Sequence, residues 1–135
     1  MKEAERVKAA GGELQQFTGT TAYHQQIFPI PELGIPFCAT DGVKYFAEQA
    51  GAFWFLDIVN TEIASHLKEE DFIVIYLQCN NGEGDITATD GDEHLFFERH
   101  IDVCLIPDGK WNFYLQIGFI GYDTQVGVIM LPSEY

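Results

Sequence analysis

The sequence predicts an α+β domain in which one long helix packs against an antiparallel sheet of about five strands. Apolar residues recur at helical spacing over residues 40–67, whereas short apolar or alternating runs follow over residues 72–131. The helical pattern precedes all of these runs and does not interleave with them. This order favours a helix on one face of an antiparallel sheet over a parallel sheet.

The helix prediction depends on a cap and on a periodic apolar stripe. Thr40 or Asp41 can cap the N-terminus, and apolar residues recur after them at helical spacing. Gly51 lies in the middle, where it permits a bend or a close packing contact. Residues 50–56 are apolar on every side of a helix, so we expect more than one neighbour to bury them.

The strand predictions come from runs bounded by turn residues. They cover residues 72–79, 86–89, 94–105, 111–119 and 126–131. Pro107, Asp108, Gly109 and Lys110 form a strong turn signal. The strands before and after this turn are therefore expected to pair as a hairpin.

The length of 135 residues fits a single domain over residues 1–135, with a polar helix over residues 1–16 at its periphery. Residues 17–40 are predicted to be irregular, because three prolines interrupt them. No run reaches the roughly 20 apolar residues of a membrane span, and the first residues mix charges without the apolar stretch of a secretory signal. We therefore expect a cytoplasmic protein without membrane association.

The cysteines Cys38, Cys79 and Cys104 are odd in number and lack the spacing of a metal site. Each lies among apolar residues in the sequence. Buried, reduced thiols are therefore expected rather than a disulfide framework, which agrees with a cytosolic protein.

Charge is the most informative bulk property of the sequence. There are 21 acidic and seven basic side chains, which give a formal net charge of −14. Such a surface repels the phosphates of nucleic acids, so direct binding to DNA or RNA is not expected. It either maintains solubility or attracts a basic protein partner. Asp90, Asp92 and Glu93 are the candidate residues for binding that partner.

One predicted strand carries candidate catalytic residues. Side chains alternate along residues 94–105, so Glu98, His100 and Asp102 share one face with about 7 Å between successive members. Two carboxylates beside an imidazole can bind a divalent cation or perform acid–base catalysis. An ordinary solvent-exposed sheet face gives the same pattern. The spacing of a calcium loop is absent from residues 80–93, and we predict no resident metal and no cofactor.

Arg99 falls on the apolar face of the same strand. A buried arginine needs a carboxylate partner. Asp57, which follows the apolar part of the helix, is the predicted partner in a structural ion pair.

Three blocks of sequence resemble a known family: QFTGT at residues 16–20, TDGVKY with AGAFWFLD at residues 40–57, and LPSEY at residues 131–135. Together they resemble an uncharacterised family of small bacterial proteins, a domain of unknown function found in cyanobacterial genomes and plasmids. The blocks span most of the chain, and the strands between them match more loosely. The resemblance implies a self-contained bacterial protein and carries over no activity, cofactor or catalytic residue.

These observations leave three functions open. The favoured one is a small, acidic, non-enzymatic binding protein of bacterial or mobile-element origin that meets a basic partner. The alternative is a small metal-dependent or acid–base enzyme that uses the three polar residues of strand 94–105. A homodimer is compatible with both, because Phe72, Val74 and Tyr76 on the second face of the first long strand need cover.

Overall fold

The computed structural model describes residues 23–26, 28–121 and 123–135, which contain seven strands and two helices. The strands are β1 (Tyr23–Gln25), β2 (Phe37–Thr40), β3 (Phe72–Asn80), β4 (Glu83–Asp90), β5 (Leu95–Ile101), β6 (Gly109–Ile120) and β7 (Thr124–Met130). The helices are α1 (Asp41–Ala50) and α2 (Phe53–Ile58), and α2 continues as a π-helical turn (Val59–Ile63) and a 3-10 turn (Ala64–Lys68). A further 3-10 turn (Pro132–Glu134) follows β7. The helix predicted over residues 1–16 lies outside the described residues.

All seven strands form one sheet in the order β1-β2-β7-β6-β3-β4-β5. β2 pairs with β7 in parallel, and the other neighbouring pairs are antiparallel. The predicted antiparallel sheet of about five strands is therefore wrong. β1 and β2 join the sheet from the segment predicted to be irregular. Both are short, and β2 lies beside a strand from the other end of the chain, so no local pattern indicates their pairing.

The predicted long helix over residues 40–67 is also wrong, because Gly51 ends α1. Gly51 has a φ of 62°, and its N–H and that of Ala52 both donate to the carbonyl of Ala47. A left-handed residue of this kind terminates a helix, and a new helix begins at Phe53. No helix in the described part of the chain is long and apolar enough to cross a membrane.

The predicted hairpin between residues 94–105 and 111–119 does not form. The tight hairpin lies earlier, between β3 and β4, where Asn81 and Gly82 adopt φ values of 52° and 80°. β5 is the outer strand beyond β4, whereas β6 pairs with the other side of β3. Residues 102–108 therefore connect strands that are not neighbours, and Cys104 and Ile106 of this connection are buried in the main core.

The main core lies between the two helices and one face of the sheet. Phe113 of β6 is fully buried at its centre. Its ring centroid lies 5.4 Å from that of Phe46 in α1 and 5.0 Å from that of Phe55 in α2. Each such buried ring stabilises the fold by roughly 1.5–3 kcal/mol relative to an exposed one. The three rings therefore join both helices to the middle of the sheet.

The residues after β7 pack against the start of α1. Glu134 is only 6% exposed. Its Oε1 accepts hydrogen bonds from the Thr40 hydroxyl at 2.6 Å and the Leu131 N–H at 3.0 Å, and its Oε2 accepts one from the Gly42 N–H at 3.1 Å. A Cβ on Gly42 would lie 2.5 Å from Leu131 Cδ1 and 2.7 Å from Glu134 Oε1. The TDGVKY and LPSEY blocks therefore contact each other, and a carboxylate accepts one N–H of the first turn of the helix.

A histidine–carboxylate cluster as the candidate functional site

The sheet surface on the side away from α1 and α2, over β3, β4, β5 and the first part of β6, carries the candidate site. Register places Tyr76 opposite Thr87, Thr87 opposite Glu98, and Asp85 opposite His100. Directly opposed residues share a face of the sheet. We call this surface the open face. Its side chains are exposed or half-buried and belong to Phe72, Val74, Tyr76, Gln78, Glu83, Asp85, Thr87, Thr89, Glu98, His100, Lys110, Asn112, Tyr114 and Gln116.

His100 on β5 is the centre of a cluster with three carboxylates. Its Nδ1 lies 2.9 Å from Asp85 Oδ1, and its Nε2 lies 3.0 Å from Glu83 Oε1. Asp102 Oδ1 is 3.6 Å from the same Nε2. All four residues are exposed. We call them the His100 cluster.

The carboxylates of β4 determine the protonation of this histidine. The hydrogen bond with Asp85 raises the pKa of His100, and the one with Glu83 raises it further. Protonation lets both ring nitrogens donate, one to each carboxylate. The cluster thus places one titratable positive charge among carboxylates on an acidic surface.

Asp85→Asn is expected to lower the pKa of His100, because the substitution removes the contact that contributes most to its elevation. NMR titration of the imidazole resonances measures this change. The raised pKa of His100 also makes the stability of the fold depend on pH. The contribution of the His100 cluster to the free energy of unfolding is complete below the ordinary imidazole pKa, and it is lost as the pH rises through the raised pKa of His100. Asp92→Asn, in the β4–β5 turn, is the control with the same charge change. An unchanged His100 pKa in Asp85→Asn would contradict the assignment.

The cluster also contains side-chain atoms of the kind that bind divalent cations. Glu83, His100 and Asp102 each offer one ligand atom, and these three atoms lie within 4.8 Å of one another. Imidazole nitrogen and carboxylate oxygen are zinc ligands, so a small inward shift would bring the three around one ion. Because these side chains are exposed, water competes for the same positions. In the described structure the cluster is held together by hydrogen bonds to His100.

The structure brings only two of the three predicted residues together: Asp102 lies near His100, whereas Glu98 lies apart from both. Glu98 lies on the open face opposite Thr87, and the hydrogen-bond partners of His100 are Asp85 and Glu83. Alternation along one strand indicated which residues share a face. The missed partners belong to the neighbouring strand, and only the register of β4 against β5 brings them to His100.

The predicted partner-binding acids lie in the turn between β4 and β5. Asp90 Oδ1 accepts the N–H of Asp92 at 2.8 Å and that of His94 at 2.9 Å. These hydrogen bonds lower the pKa of Asp90, and the one from the His94 N–H contributes most. Asp92 and Glu93 are exposed. Asp90 therefore stabilises the turn, while the other two carboxylates face solvent.

Arg99 is exposed and forms an ion pair with Glu62 of the π-helical turn, rather than the predicted buried pair with Asp57. The pair joins β5 to the helical layer. Since both partners are partly exposed, its contribution to stability is at most about 1 kcal/mol. It is a structural contact outside the His100 cluster.

A separate cleft of about 280 Å³ adjoins α2. It is lined by Gln26, Phe28, Phe37, Phe53, Leu56, Asp57 and Asn60. Asn60 Nδ2 donates to the Phe28 carbonyl at 2.9 Å, and its Oδ1 has no partner among the described residues. The π-helical turn positions Asn60, and such turns recur at functional sites. No sequence pattern indicates this turn, so sequence analysis missed it. The volume is at the lower limit for ligand sites.

Comparison with known families identifies a match over most of the chain. The family model of DUF6876, a family of unknown function, matches residues 8–135. This confirms the resemblance to a domain of unknown function that was inferred from the three sequence blocks. No curated protein and no solved structure matches the chain.

Proposed function

We propose that this chain, which belongs to the DUF6876 family, is a cytoplasmic, non-enzymatic binding protein whose open face takes a basic protein partner. One observation carries the proposal: an aromatic strip and a row of carboxylates lie side by side on the same face of the sheet. The strip supplies apolar contact, and the carboxylates supply charge of one sign. A basic segment with apolar side chains complements both.

The aromatic strip consists of Phe72, Tyr76, Tyr114 and Tyr135, together with Val74, which lies between the first two on β3. The rings of Phe72, Tyr114 and Tyr135 contact one another with centroid separations of 4.8–5.5 Å. Tyr135 remains 73% exposed. Aromatic residues are enriched where proteins bind each other, because they offer large contact areas at a small entropic cost.

The carboxylate row lies beside the strip on β4 and β5. Glu83, Asp85 and Glu98 belong to the open face, and Asp102 follows directly after β5. The four carboxylates outnumber the single titratable charge of His100 between them, so the row stays negative. A negative row in a protein of net charge −14 attracts basic partners and accelerates their association. The partner-binding role of Asp90, Asp92 and Glu93 stays a prediction, and these residues extend the same charge into the β4–β5 turn.

The test first identifies the partner and then measures how fast it binds and dissociates. The immobilised chain is exposed to lysate of its native host at about 50 mM and about 500 mM salt, and proteins released by the higher salt are identified and purified. Glu98→Gln with Asp102→Asn is then expected to slow association of the purified partner by roughly three- to tenfold and to flatten its salt dependence. Tyr135→Ala is expected to accelerate dissociation.

The matched control is Glu48→Gln with Asp57→Asn, which removes the same charge from exposed positions of the helical layer. It should leave the association rate much closer to that of the unsubstituted chain. Equal slowing by both double substitutions would mean that only net charge matters, and the open face would lose its role.

A metal-dependent or acid–base enzyme is the second candidate, and the proximity of ligand atoms from Glu83, His100 and Asp102 favours it. Under this alternative, His100→Ala alone abolishes the activity in the host, whereas neutralising Asp92 and Glu93 has a far smaller effect. Under the binding proposal the order of the two effects is reversed. The pair of variants therefore separates the two classes.

A homodimer through the aromatic strip is the competing occupant of the open face. Sedimentation velocity at micromolar concentration distinguishes it, because a dimer doubles the mass of 15.2 kDa. A dimer that Tyr135→Ala dissociates would assign the strip to a second copy. If the protein sediments as a monomer, no second copy covers the open face, and the face can bind the basic partner.

A further inference from the structure

Cys79 and Cys104 lie in direct contact within the main core. Their Sγ atoms are 2.9 Å apart, although 25 positions separate the residues in sequence. Each residue is only 2% exposed, and both thiols are reduced. The sequence predicted buried thiols but did not indicate that two of the three would meet, because the contact depends on the path of residues 102–108.

The surrounding backbone holds this pair together. The N–H of Cys104 donates to the Gly82 carbonyl at 2.7 Å. Gly84 lies opposite Cys79 in the β3–β4 ladder, and a Cβ there would be 3.4 Å from both Cβ and Sγ of Cys104. The absence of a side chain at Gly84 therefore leaves the space that Cys104 occupies beside Cys79.

Cys104 lies in the connection between β5 and β6. Its neighbours Val103 and Leu105 are each 73% exposed, whereas Cys104 and Ile106 point into the core. Burial raises the pKa of the Cys79 thiol, and its hydrogen bond with Cys104 acts in the same direction. Burial therefore favours the unreactive thiol form of Cys79, and exchange with a disulfide requires that the pair be exposed to solvent.

We propose that Cys79 and Cys104 are a disulfide-forming pair, oxidised by a small disulfide such as glutathione disulfide and reduced again by the corresponding thiol. One cysteine thiolate attacks the small disulfide, forms a mixed disulfide and releases one small thiol. The other cysteine then displaces the second small thiol and closes the Cys79–Cys104 bond. Two electrons pass to the small disulfide, and the two thiol protons leave with the released thiols.

The bond would join the end of β3 to the segment after β5. It closes a loop that contains the whole β4–β5 pair, and so it attaches the segment that follows the carboxylate row covalently to β3. Restricting a loop of this size in the unfolded chain is expected to raise the melting temperature by about 10 °C.

The test uses the full chain, unfolded in urea and refolded in glutathione buffers of graded oxidised fraction, so that burial cannot block the reaction. Thiols are then alkylated under denaturing conditions and counted by mass spectrometry. The oxidised protein is expected to lose two alkylatable thiols without retaining glutathione, and Cys38 is expected to stay alkylatable. Addition of a phosphine reductant should lower the melting temperature by about the same 10 °C.

Cys38→Ala is the matched control, because Cys38 is a third buried thiol and lies on β2. It should retain both the loss of two thiols and the change in melting temperature. Cys104→Ala and Cys79→Ala should abolish both. The proposal is overturned if the unsubstituted chain keeps three alkylatable thiols, stops at a glutathione adduct, or pairs either cysteine with Cys38. These readouts on the unsubstituted chain do not depend on the folding of any variant.

Discussion

Replacing Phe113 with alanine is expected to lower the free energy of unfolding by about 4 kcal/mol. Phe113 is fully buried, and it contacts both Phe46 of α1 and Phe55 of α2. Removing the ring leaves a cavity between the helices and the sheet. The cavity can close only if one of these layers moves toward the other. Urea denaturation followed by tryptophan fluorescence measures the loss.

Phe119→Ala is the control on the same strand. Phe119 is 55% exposed near the end of β6, so the same substitution should cost less than about 1 kcal/mol. Similar losses in the two variants would mean that the ring of Phe113 does not bridge the helices and the sheet.

Glu134→Ala is expected to destabilise the protein by about 3 kcal/mol. The substitution leaves the hydroxyl of Thr40 and the N–H groups of Gly42 and Leu131 without their acceptor in a buried position. Thermal or urea unfolding measures the effect. Glu134→Gln keeps one acceptor oxygen and should lose distinctly less.

Ser133→Ala, in the same turn but exposed, serves as the control and should change stability little. Gly42→Ala approaches the same site from the helix and should also destabilise, because its Cβ would overlap Leu131 and Glu134. If Glu134→Ala matched Ser133→Ala, the carboxylate would contribute nothing measurable to the start of α1.

Local patterns in the sequence located the later strands but did not predict their arrangement. Short apolar or alternating runs over residues 72–131 indicated where β3, β6 and β7 lie along the chain. The pairing was wrong where it was inferred from nearness in sequence: the turn signal at Pro107 to Lys110 favoured a β5–β6 hairpin, whereas β6 pairs with β3. Which strands become neighbours is decided by burial of the whole sheet, and a local turn signal does not contain that information.

The helix error has a more specific cause. Gly51 was recognised but was interpreted as a bend or a close packing contact within one helix, because apolar periodicity continues on both sides of it. The periodicity continues because α1 and α2 both pack on the same face of the sheet, and not because they form one helix. A glycine in a left-handed conformation stops the hydrogen-bond ladder, and that conformation cannot be read from apolar spacing.

The candidate site was predictable in part. His100 and its exposed face followed from alternation along a single strand. Asp85 and Glu83 reach His100 from the neighbouring strand, so their contribution required the register of β4 against β5. The same limit applies to Cys79 and Cys104, whose contact spans residues that no local pattern connects.

The central position of β7 determines the order in which this fold can be completed during synthesis. β7 lies between β2 and β6, and Glu134 behind it supplies the acceptor at the start of α1. Until β7 and Glu134 have emerged from the ribosome, β1 and β2 have no strand joining them to the rest of the sheet. The nascent chain therefore holds most of its apolar residues without a finished core, and such intermediates are prone to aggregate. Substitutions that weaken β7 or remove the Glu134 carboxylate would act on the step that closes the fold.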